Sequence, residues 1–210
     1  MKYILILLIS CFELFNVYSQ EDNTPYLFPE FTKGYVYYKD GRIFHVPLNY
    51  NLFNGKFFFI DNDKIKKEFS DPNMVTSLKI GERTFLPVSS KETAELIQSE
   101  PKILVQYNGT RKIKKDLTYG GKTETASVEG YSNLIYGSGD YQANTFLDKI
   151  KYKFYIEKGK GFKSFSTEKQ FLKIFSKHKE QLKQYIDGNK IDFETIGEVK
   201  KLCNYALSLN

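Results

Sequence analysis

Apolar and polar residues alternate with a period of two along the first half of the chain, a pattern typical of β-strands. Within 43–50 the apolar positions share one face. The opposite face is mixed and consists of Ile43, His45, Pro47 and Asn49. Asp40-Gly41 precedes this segment and Asn54-Gly55 follows it, and both dipeptides favour tight hairpin turns. The pattern therefore predicts three antiparallel strands, at 34–39, 42–50 and 56–61.

Pro47 lies inside the second of these predicted strands. Proline has no backbone N–H and cannot donate to a neighbouring strand. We therefore expect either a bulge or an unpaired stretch at this position.

Further strands are predicted in the middle of the chain. Segments 77–80 and 83–88 flank Gly81-Glu82 and read as another hairpin, and apolar residues alternate again after Pro101, from Ile103. The clearest alternation is at 150–156, and a turn at 158–161 leads to a last strand at 162–165. Between these strands, segment 91–98 contains good helix formers and follows Ser90, which predicts a short helix.

After Ser166 the hydrophobic period becomes helical. The apolar stripe consists of Phe171, Phe175, His178, Leu182 and Tyr185. It predicts one long helix, continuous if the helix survives Ser176, with Gly188 as its C-terminal stop. The segment 195–198, Thr-Ile-Gly-Glu, has the spacing of a capping box that opens a last helix. Two antiparallel helices joined by 187–194 would follow.

These elements define the expected fold and its domains. The fold class is α+β: an antiparallel sheet of six to eight strands, with a barrel-like form left open, followed by a C-terminal helical hairpin. A β domain is expected over 20–165, with a long Gly- and Tyr-rich loop at 117–144. The helices of 166–210 should pack on the same domain, since the chain has no repeat and no Pro- or Ser-rich linker.

The first nineteen residues have the anatomy of a secretory signal peptide. Lys2 is followed by a ten-residue uncharged run, half the length of a membrane-spanning helix, which needs about 20 residues. Cleavage after Ser19 would give a mature chain that starts at Gln20 and has no transmembrane span. In the competing interpretation Cys11 is lipidated, because Leu8-Ile9-Ser10-Cys11 suits a lipoprotein signal. We expect a periplasmic or extracellular, envelope-associated protein.

Composition and charge narrow the function classes. The 210 residues are 41% hydrophobic and include 18 Phe and 16 Tyr, which excludes a disordered chain. The net charge is +6, and 149–201 holds 14 Lys against seven acidic residues. Such a surface can attract anionic polymers, lipid head groups or nucleic acid. Lys without Arg is more typical of a solvated polar face, so we expect no specific nucleic-acid partner.

Few residues are of the types that build metal or nucleophilic sites. Two Cys and two His are too few for a disulfide scaffold, a zinc ribbon or an all-His metal site. Cys203 lies on the apolar stripe of the last predicted helix, which favours core packing. Neither His45 nor His178 accompanies a Gly-x-Ser-x-Gly motif, so a serine triad is not predicted.

Three short motifs also have simpler explanations than a ligand site. Gly121-Lys122-Thr123 resembles the end of a P-loop, but Asp116 replaces the required glycine. Asp61-Asn62-Asp63 lacks the regular ligand ladder of a calcium loop and is better explained as a turn. Asn108-Gly109-Thr110 matches a glycosylation sequon. We predict no catalytic residues, no metal site and no cofactor.

The loop at 117–144 is the candidate binding site in the sequence. Glycines alternate there with four tyrosines, whose rings offer apolar faces and polar tips to sugars, peptides or a partner surface. The candidate residues are Tyr119, Tyr131, Tyr136 and Tyr141. The competing interpretation is a long surface connection whose tyrosines cover the edge of the core.

Three segments resemble a group of uncharacterised proteins exported by Gram-negative bacteria with glycan-rich or host-associated habitats. The segments are FPEFTKGYVYYKDGRIFHVPLNYN (28–51), YGGKTETASVEGYS (119–132) and FLKIFSKHKEQLKQYIDGNKIDF (171–193). The resemblance implies an envelope or exported protein, and it carries no activity and no functional residues. Members of the group tend to have Pro where this chain has Ser176, which would divide the long helix.

The sequence therefore predicts a non-catalytic extracytoplasmic binding or accessory module, with an envelope protein or a glycan as partner. One alternative is a hydrolase that acts on envelope or dietary polymer with a pair of carboxylates, since such a pair needs only a distance that sequence does not report. A second alternative is a basic module that associates with anionic surfaces.

Overall fold

The computed structural model describes residues 24–69, 72–116, 122–128, 145–159 and 161–209. The predicted leader, 1–19, and the loop segments 117–121 and 129–144 lie outside the described residues. The described strands are β1 Thr32–Tyr38, β2 Ile43–Asn51, β3 Lys56–Ile60, β4 Lys66–Glu68, β5 Val75–Ile80, β6 Arg83–Pro87, β7 Thr93–Gln98, β8 Ile103–Asp116, β9 Lys122–Val128, β10 Thr145–Lys158 and β11 Gly161–Phe165. The helices are α1 Glu168–Ile174, α2 Lys179–Asn189 and α3 Ile196–Ser208, with 3-10 turns at Pro72–Met74 and Ser176–His178.

The strands form a single antiparallel sheet. Ten of them follow the order β11-β10-β8-β7-β6-β5-β1-β2-β3-β4, and β9 pairs with β8. The expected α+β arrangement of an antiparallel sheet followed by helices is confirmed, although the sheet has more strands than the six to eight expected. In the described ranges β4 and β11 are the two edge strands and do not pair with each other, so closure into a barrel is not confirmed.

The predicted hairpin turns are confirmed at Gly41, Gly55 and Gly81. Their φ angles are +88°, +68° and +57°, a region that favours glycine because it has no side chain to clash. Pro47 pairs with Lys33 on β1 without a bulge, whereas the pairing of β2 with β3 begins only at Leu48. Of the two expectations for Pro47, the unpaired stretch is the one observed.

The short helix predicted over 91–98 is wrong, because this segment contains strand β7. β7 lies between β6 and β8 and forms ladder hydrogen bonds on both sides. The alternation of its side chains also fits a sheet: Ala94 is buried on one face and Glu95 on the other. Two flanking ladders outweigh a local helix propensity that differs by only tenths of a kcal/mol per residue.

Part of the segment predicted as a loop over 117–144 is a strand. Lys122–Val128 forms strand β9, which pairs with β8 from Arg111 to Asp116. The rest of that loop lies beyond the described ranges.

The main core lies on one face of the sheet, here called the inner face, and a smaller cluster of Ala94, Leu104 and Tyr155 is buried on the other. The strand registers place one residue from each of six strands in a row: Val36, Leu78, Phe85, Glu95, Val105 and Phe154. All but Glu95 belong to the main hydrophobic core, which also includes buried residues of all three helices. Sheet and helices therefore share one core, as the apolar stripes of both required.

The predicted long helix is interrupted after Ile174. Phe175 adopts φ −112° and ψ +42°, outside the helical region, and a 3-10 turn separates α1 from α2. The rings of Phe171 and Phe175 pack together at the break, with centroids 5.0 Å apart, and both are buried. Lys158 Nζ donates to the Ile174 carbonyl oxygen at 2.9 Å, which satisfies an acceptor at the end of α1.

Two details of the predicted helix ends are corrected. Gly188 lies inside α2, and the left-handed position after the helix is taken by Lys190, with φ +51°. Thr195 is the N-cap of α3, but its side chain makes no capping bond. Glu198 accepts instead from the backbone N–H of Asp192, at 2.7 Å, so the capping box does not form.

Cys203 is fully buried on α3, which confirms the predicted core position. Burial raises the pKa of the Cys203 thiol to about 12. None of the helices in the described ranges is long and apolar enough to cross a membrane.

The sheet bends back on itself between β2 and β8, although four strands separate them in the sheet order. The backbone N–H of Gly109 donates to the Leu52 carbonyl oxygen at 2.8 Å. The Tyr50 hydroxyl donates to the Tyr107 carbonyl oxygen at 3.2 Å. These two bonds join the end of β2 to the middle of β8.

Candidate functional site

Tyr119, Tyr131, Tyr136 and Tyr141 lie outside the described residues. The candidate site below is therefore built from other residues, on the side of the sheet opposite the core.

Strand β1 separates buried from exposed side chains with a period of two. Gly34 and Val36 are buried against the core, whereas Lys33, Tyr35 and Tyr37 point to the other side. The neighbouring strands β2 and β5 extend this second surface by their registers. We call it the outer face, and its residues are Lys33, Tyr35, Tyr37, Ile43, His45, Pro47, Ser77 and Lys79.

Tyr35 occupies the centre of the outer face. It is directly opposite His45 on β2 and Lys79 on β5. The ring centroids of Tyr35 and His45 are 4.4 Å apart, at an interplanar angle of 69°. The rings of Tyr35 and Tyr37 are nearly parallel, with an angle of 20° and centroids 6.3 Å apart. Strand pairing on both sides fixes these rings in place.

The outer face remains open to solvent. His45 and Lys33 are exposed, both tyrosines are half-buried, and Ile43 has 51% of its surface exposed. The face thus combines ring surface, the aliphatic side chains of Ile43 and Pro47, and polar groups on three adjacent strands. A tyrosine ring contributes apolar contact area and a hydroxyl that hydrogen-bonds, which suits ligands that are themselves mixed in polarity.

Charge on the outer face is positive. It carries two lysines and no carboxylate among the described residues that β1, β2 and β5 place there. Lys79 Nζ lies 4.0 Å from Glu82, whose side chain is fully exposed. Exposed ion pairs of this kind are worth about 0–1 kcal/mol, so Lys79 can exchange this partner for an anionic ligand.

The end of the β1–β2 hairpin forms a second surface cluster. Arg42 pairs with Asp40 at 2.7 Å, and its guanidinium lies 5.1 Å from the Tyr38 ring centroid and 5.8 Å from that of Phe44. Hydrogen bonding to Arg42 lowers the pKa of Asp40. Since Asp40 neutralises Arg42, this cluster adds aromatic surface without net charge.

A buried polar network lies on the inner face. Arg83 donates to Glu95 through two nitrogens, at 2.8 Å and 2.6 Å, and the Tyr107 hydroxyl also donates to Glu95. Burial, followed by the contact with Glu95, raises the pKa of Tyr107. The ring of Phe28 covers the Arg83 guanidinium, whose carbon lies 4.9 Å from the ring centroid. Because every partner is satisfied within the protein, we interpret this network as structural.

The described residues also clarify two sequence motifs. The Asp61 carboxylate accepts from the backbone N–H groups of Asp63 and Ile65 and pairs with Lys67, as expected for a turn. These contacts, led by that with Lys67, lower the pKa of Asp61. Lys122 and Thr123 lie in β9, a strand and not a phosphate-binding turn. Within the described ranges no group of three His, Cys, Asp or Glu could hold a metal ion.

Comparison with protein-family models, curated proteins and solved structures finds no match to this chain.

Sequence reasoning missed Tyr35 and Tyr37 as candidate residues. It identified the mixed face of the second strand, including Ile43 and His45, but gave it no function. The available signal was the alternation around Gly34 and Val36, which places both tyrosines on the same side as that mixed face once β1 and β2 are paired.

Proposed function

We propose that this chain is an exported, non-catalytic binding module of the cell envelope, and that its outer face binds a glycan. The observation that carries the proposal is the row of Tyr35 and Tyr37 on one strand, flanked by polar side chains of two others. Sugars present C–H groups that contact aromatic rings and hydroxyls that need hydrogen-bonding partners, and this surface offers both.

A glycan fits the outer face better than a protein partner does. Protein interfaces depend on a central, well-packed apolar cluster that becomes fully buried. On the outer face Ile43 and Pro47 are the aliphatic residues, and the remaining residues are aromatic with polar atoms, hydroxylated or charged. The strands are also held on both sides, so that little conformational entropy is lost on binding.

Alanine variants test the proposed site. Tyr35→Ala and Tyr37→Ala should each weaken binding to glycans prepared from bacterial envelopes by about tenfold, because each removes ring contact area. Isothermal titration or a glycan array measures the affinity, and circular dichroism verifies the fold.

Tyr185→Ala is the matched control. Tyr185 is also half-buried, but it lies on α2, where it stacks on Tyr205 with ring centroids 4.1 Å apart. Its loss should leave glycan affinity unchanged. Wild-type affinity in both outer-face variants would contradict the proposed site.

Export is a separate part of the proposal. It is supported by the basic start and the short uncharged run before Ser19. Intact-mass measurement of the protein isolated from its native cells should give a chain that starts at Gln20. A mass that includes acyl chains on Cys11 would show lipidation instead.

We also infer a barrel-like curvature of the sheet. It is supported by the two hydrogen bonds that join β2 to β8, Gly109 to Leu52 and Tyr50 to Tyr107. Such curvature leaves the outer face convex and accessible, with the core enclosed on the other side.

A further inference from the structure

We propose that the outer face selects acidic glycans, specifically polysaccharides of uronic acids, over neutral ones. This inference rests on the proposed glycan-binding function and names the ligand class of the same site. It follows from the positions of the two outer-face lysines relative to the tyrosine row.

Lys33 and Lys79 flank Tyr35 in two directions. Lys33 precedes Tyr35 by two residues on β1, and Lys79 is directly opposite Tyr35 on β5. A sugar ring held against Tyr35 is therefore within reach of two lysine side chains. Carboxylates on successive sugars can each meet one of them, whereas a neutral sugar leaves both without a counter-charge.

The dimensions of the outer face suit a chain of sugars. Lys33 and Tyr37 are four residues apart on β1, which corresponds to about 13 Å. This length exceeds a single monosaccharide. A repeating acidic polymer therefore offers ring and carboxylate contacts along the same row.

The carboxylates nearest in sequence, Glu30 to Lys33 and Glu82 to Lys79, form no ion pair closer than 4.0 Å with these lysines in the described residues. Asp40 pairs with Arg42, and the fully exposed Glu82 reaches Lys79 only at 4.0 Å. No ion pair of Lys33 occurs within the described part of the chain. Within the described residues, only the exposed and long pair with Glu82 offsets either ammonium group, so the potential above Tyr35 favours anions.

A second basic surface provides the contrast. Lys173 and Lys177 are exposed at the end of α1 and in the turn that follows it. They attract any polyanion through a diffuse, salt-sensitive potential and cannot recognise a sugar. Binding through these lysines would therefore not distinguish a uronic-acid polymer from a simple polyacid.

The test uses three polymers with the mature chain. Polygalacturonate supplies sugars with carboxylates, fully methyl-esterified polygalacturonate supplies the same sugars without charge, and polyacrylate supplies charge without sugars. At physiological salt, polygalacturonate should bind at least tenfold more tightly than either of the other two. Titration calorimetry measures the three affinities.

Lysine variants test whether the selectivity for polygalacturonate depends on the outer-face lysines. The double variant Lys33→Gln/Lys79→Gln should lose about tenfold in affinity for polygalacturonate and keep its affinity for the esterified polymer. The control Lys173→Gln/Lys177→Gln should retain wild-type affinity for polygalacturonate. Both variants change exposed or half-exposed side chains, so circular dichroism should show an intact fold.

Two other outcomes would overturn the acidic-glycan selection, the proposed glycan binding, or both. Equal affinity for the charged and esterified polymers overturns the selection for acidic glycans and leaves the proposed glycan binding intact. In the other outcome the chain binds neither sugar polymer but binds polyacrylate tightly, and the Lys173→Gln/Lys177→Gln variant abolishes that binding. This result overturns both the selection for acidic glycans and the proposed glycan binding, in favour of a basic surface module.

Discussion

Glu95 is a carboxylate in a row of apolar core residues, between Phe85 on β6 and Val105 on β8. Its side chain is 11% exposed, and its partner Arg83 is 31% exposed. Moving a carboxylate out of water costs several kcal/mol, and the two bonds from Arg83 and one from Tyr107 offset that cost. The stability of this part of the sheet therefore depends on all three groups being present.

Removing one charge tests this interpretation. Glu95→Leu should lower the free energy of unfolding by roughly 2–3 kcal/mol, because it leaves the Arg83 guanidinium unpaired against aromatic rings. The estimate is at the low end for a broken buried pair, since Arg83 keeps contact with water. Urea denaturation measures the loss.

A double variant is the matched control. Arg83→Leu/Glu95→Leu removes both charges and should recover part of the stability that the single variant loses. A single variant as stable as the wild type would show that the pair contributes nothing to the fold.

At the residue scale, the sequence correctly predicted the turns, which depend on local chemistry. The turns at Gly41, Gly55 and Gly81 were predicted because a positive φ is a property of a dipeptide and its neighbours. The outer-face role of Tyr35 and Tyr37 was not predicted, because it depends on which strands pair with β1 on both sides.

The elements show where local preference loses to tertiary structure. Four of the six residues of β7, Ala94, Glu95, Leu96 and Gln98, favour a helix, yet two flanking strands hold it in the sheet. The interruption between α1 and α2 was predicted only as a condition at Ser176, because the contact of Lys158 with the Ile174 carbonyl oxygen at the break needs the folded core.

Helix α3 was predicted correctly from its apolar stripe, because its period alone decides which side is buried. Val199, Leu202, Cys203 and Ala206 are all inaccessible to solvent. Their side chains form one face of the helix, as the spacing requires.

Thiol labelling tests the packing of α3. Burial raises the pKa of Cys203 from 9.0 to about 12, which lowers its thiolate fraction at pH 8 by about 1000-fold. A maleimide reagent should therefore label the mature native chain at least 100-fold more slowly than the same chain in urea. Equal labelling rates in the two states would contradict a buried Cys203.

At the scale of the whole molecule, the order of strands could not be predicted. The sequence predicted consecutive hairpins. In the structure the chain returns after β4, and β5 pairs with β1, so that β2 and β6 lie on opposite sides of the β1–β5 pair. This crossover creates the outer face, since it supplies Lys79 beside Tyr35. Nothing in the local patterns of β1 or β5 specifies their pairing.

Gly109 tests the bend that brings β2 to β8. A Cβ atom added there would lie 2.6 Å from Leu147 Cδ1 and 3.0 Å from Leu52 Cβ. Gly109→Ala should therefore lower the free energy of unfolding by about 1–3 kcal/mol, the usual cost of overpacking. The control Gly161→Ala should change stability little, because a Cβ there meets no atom within 4 Å. Equal stability of the two variants would argue against the close approach of β2 and β8.

The central claim is that the outer face of β1, β2 and β5 is the binding site. The most direct measurement is a two-dimensional NMR titration of the mature chain with short oligomers of galacturonic acid, which follows every assigned backbone amide. The account predicts that the largest shift changes fall within Thr32–Tyr38, Ile43–Asn51 and Val75–Ile80. Changes confined to 117–144 or to the C-terminal helices would contradict it.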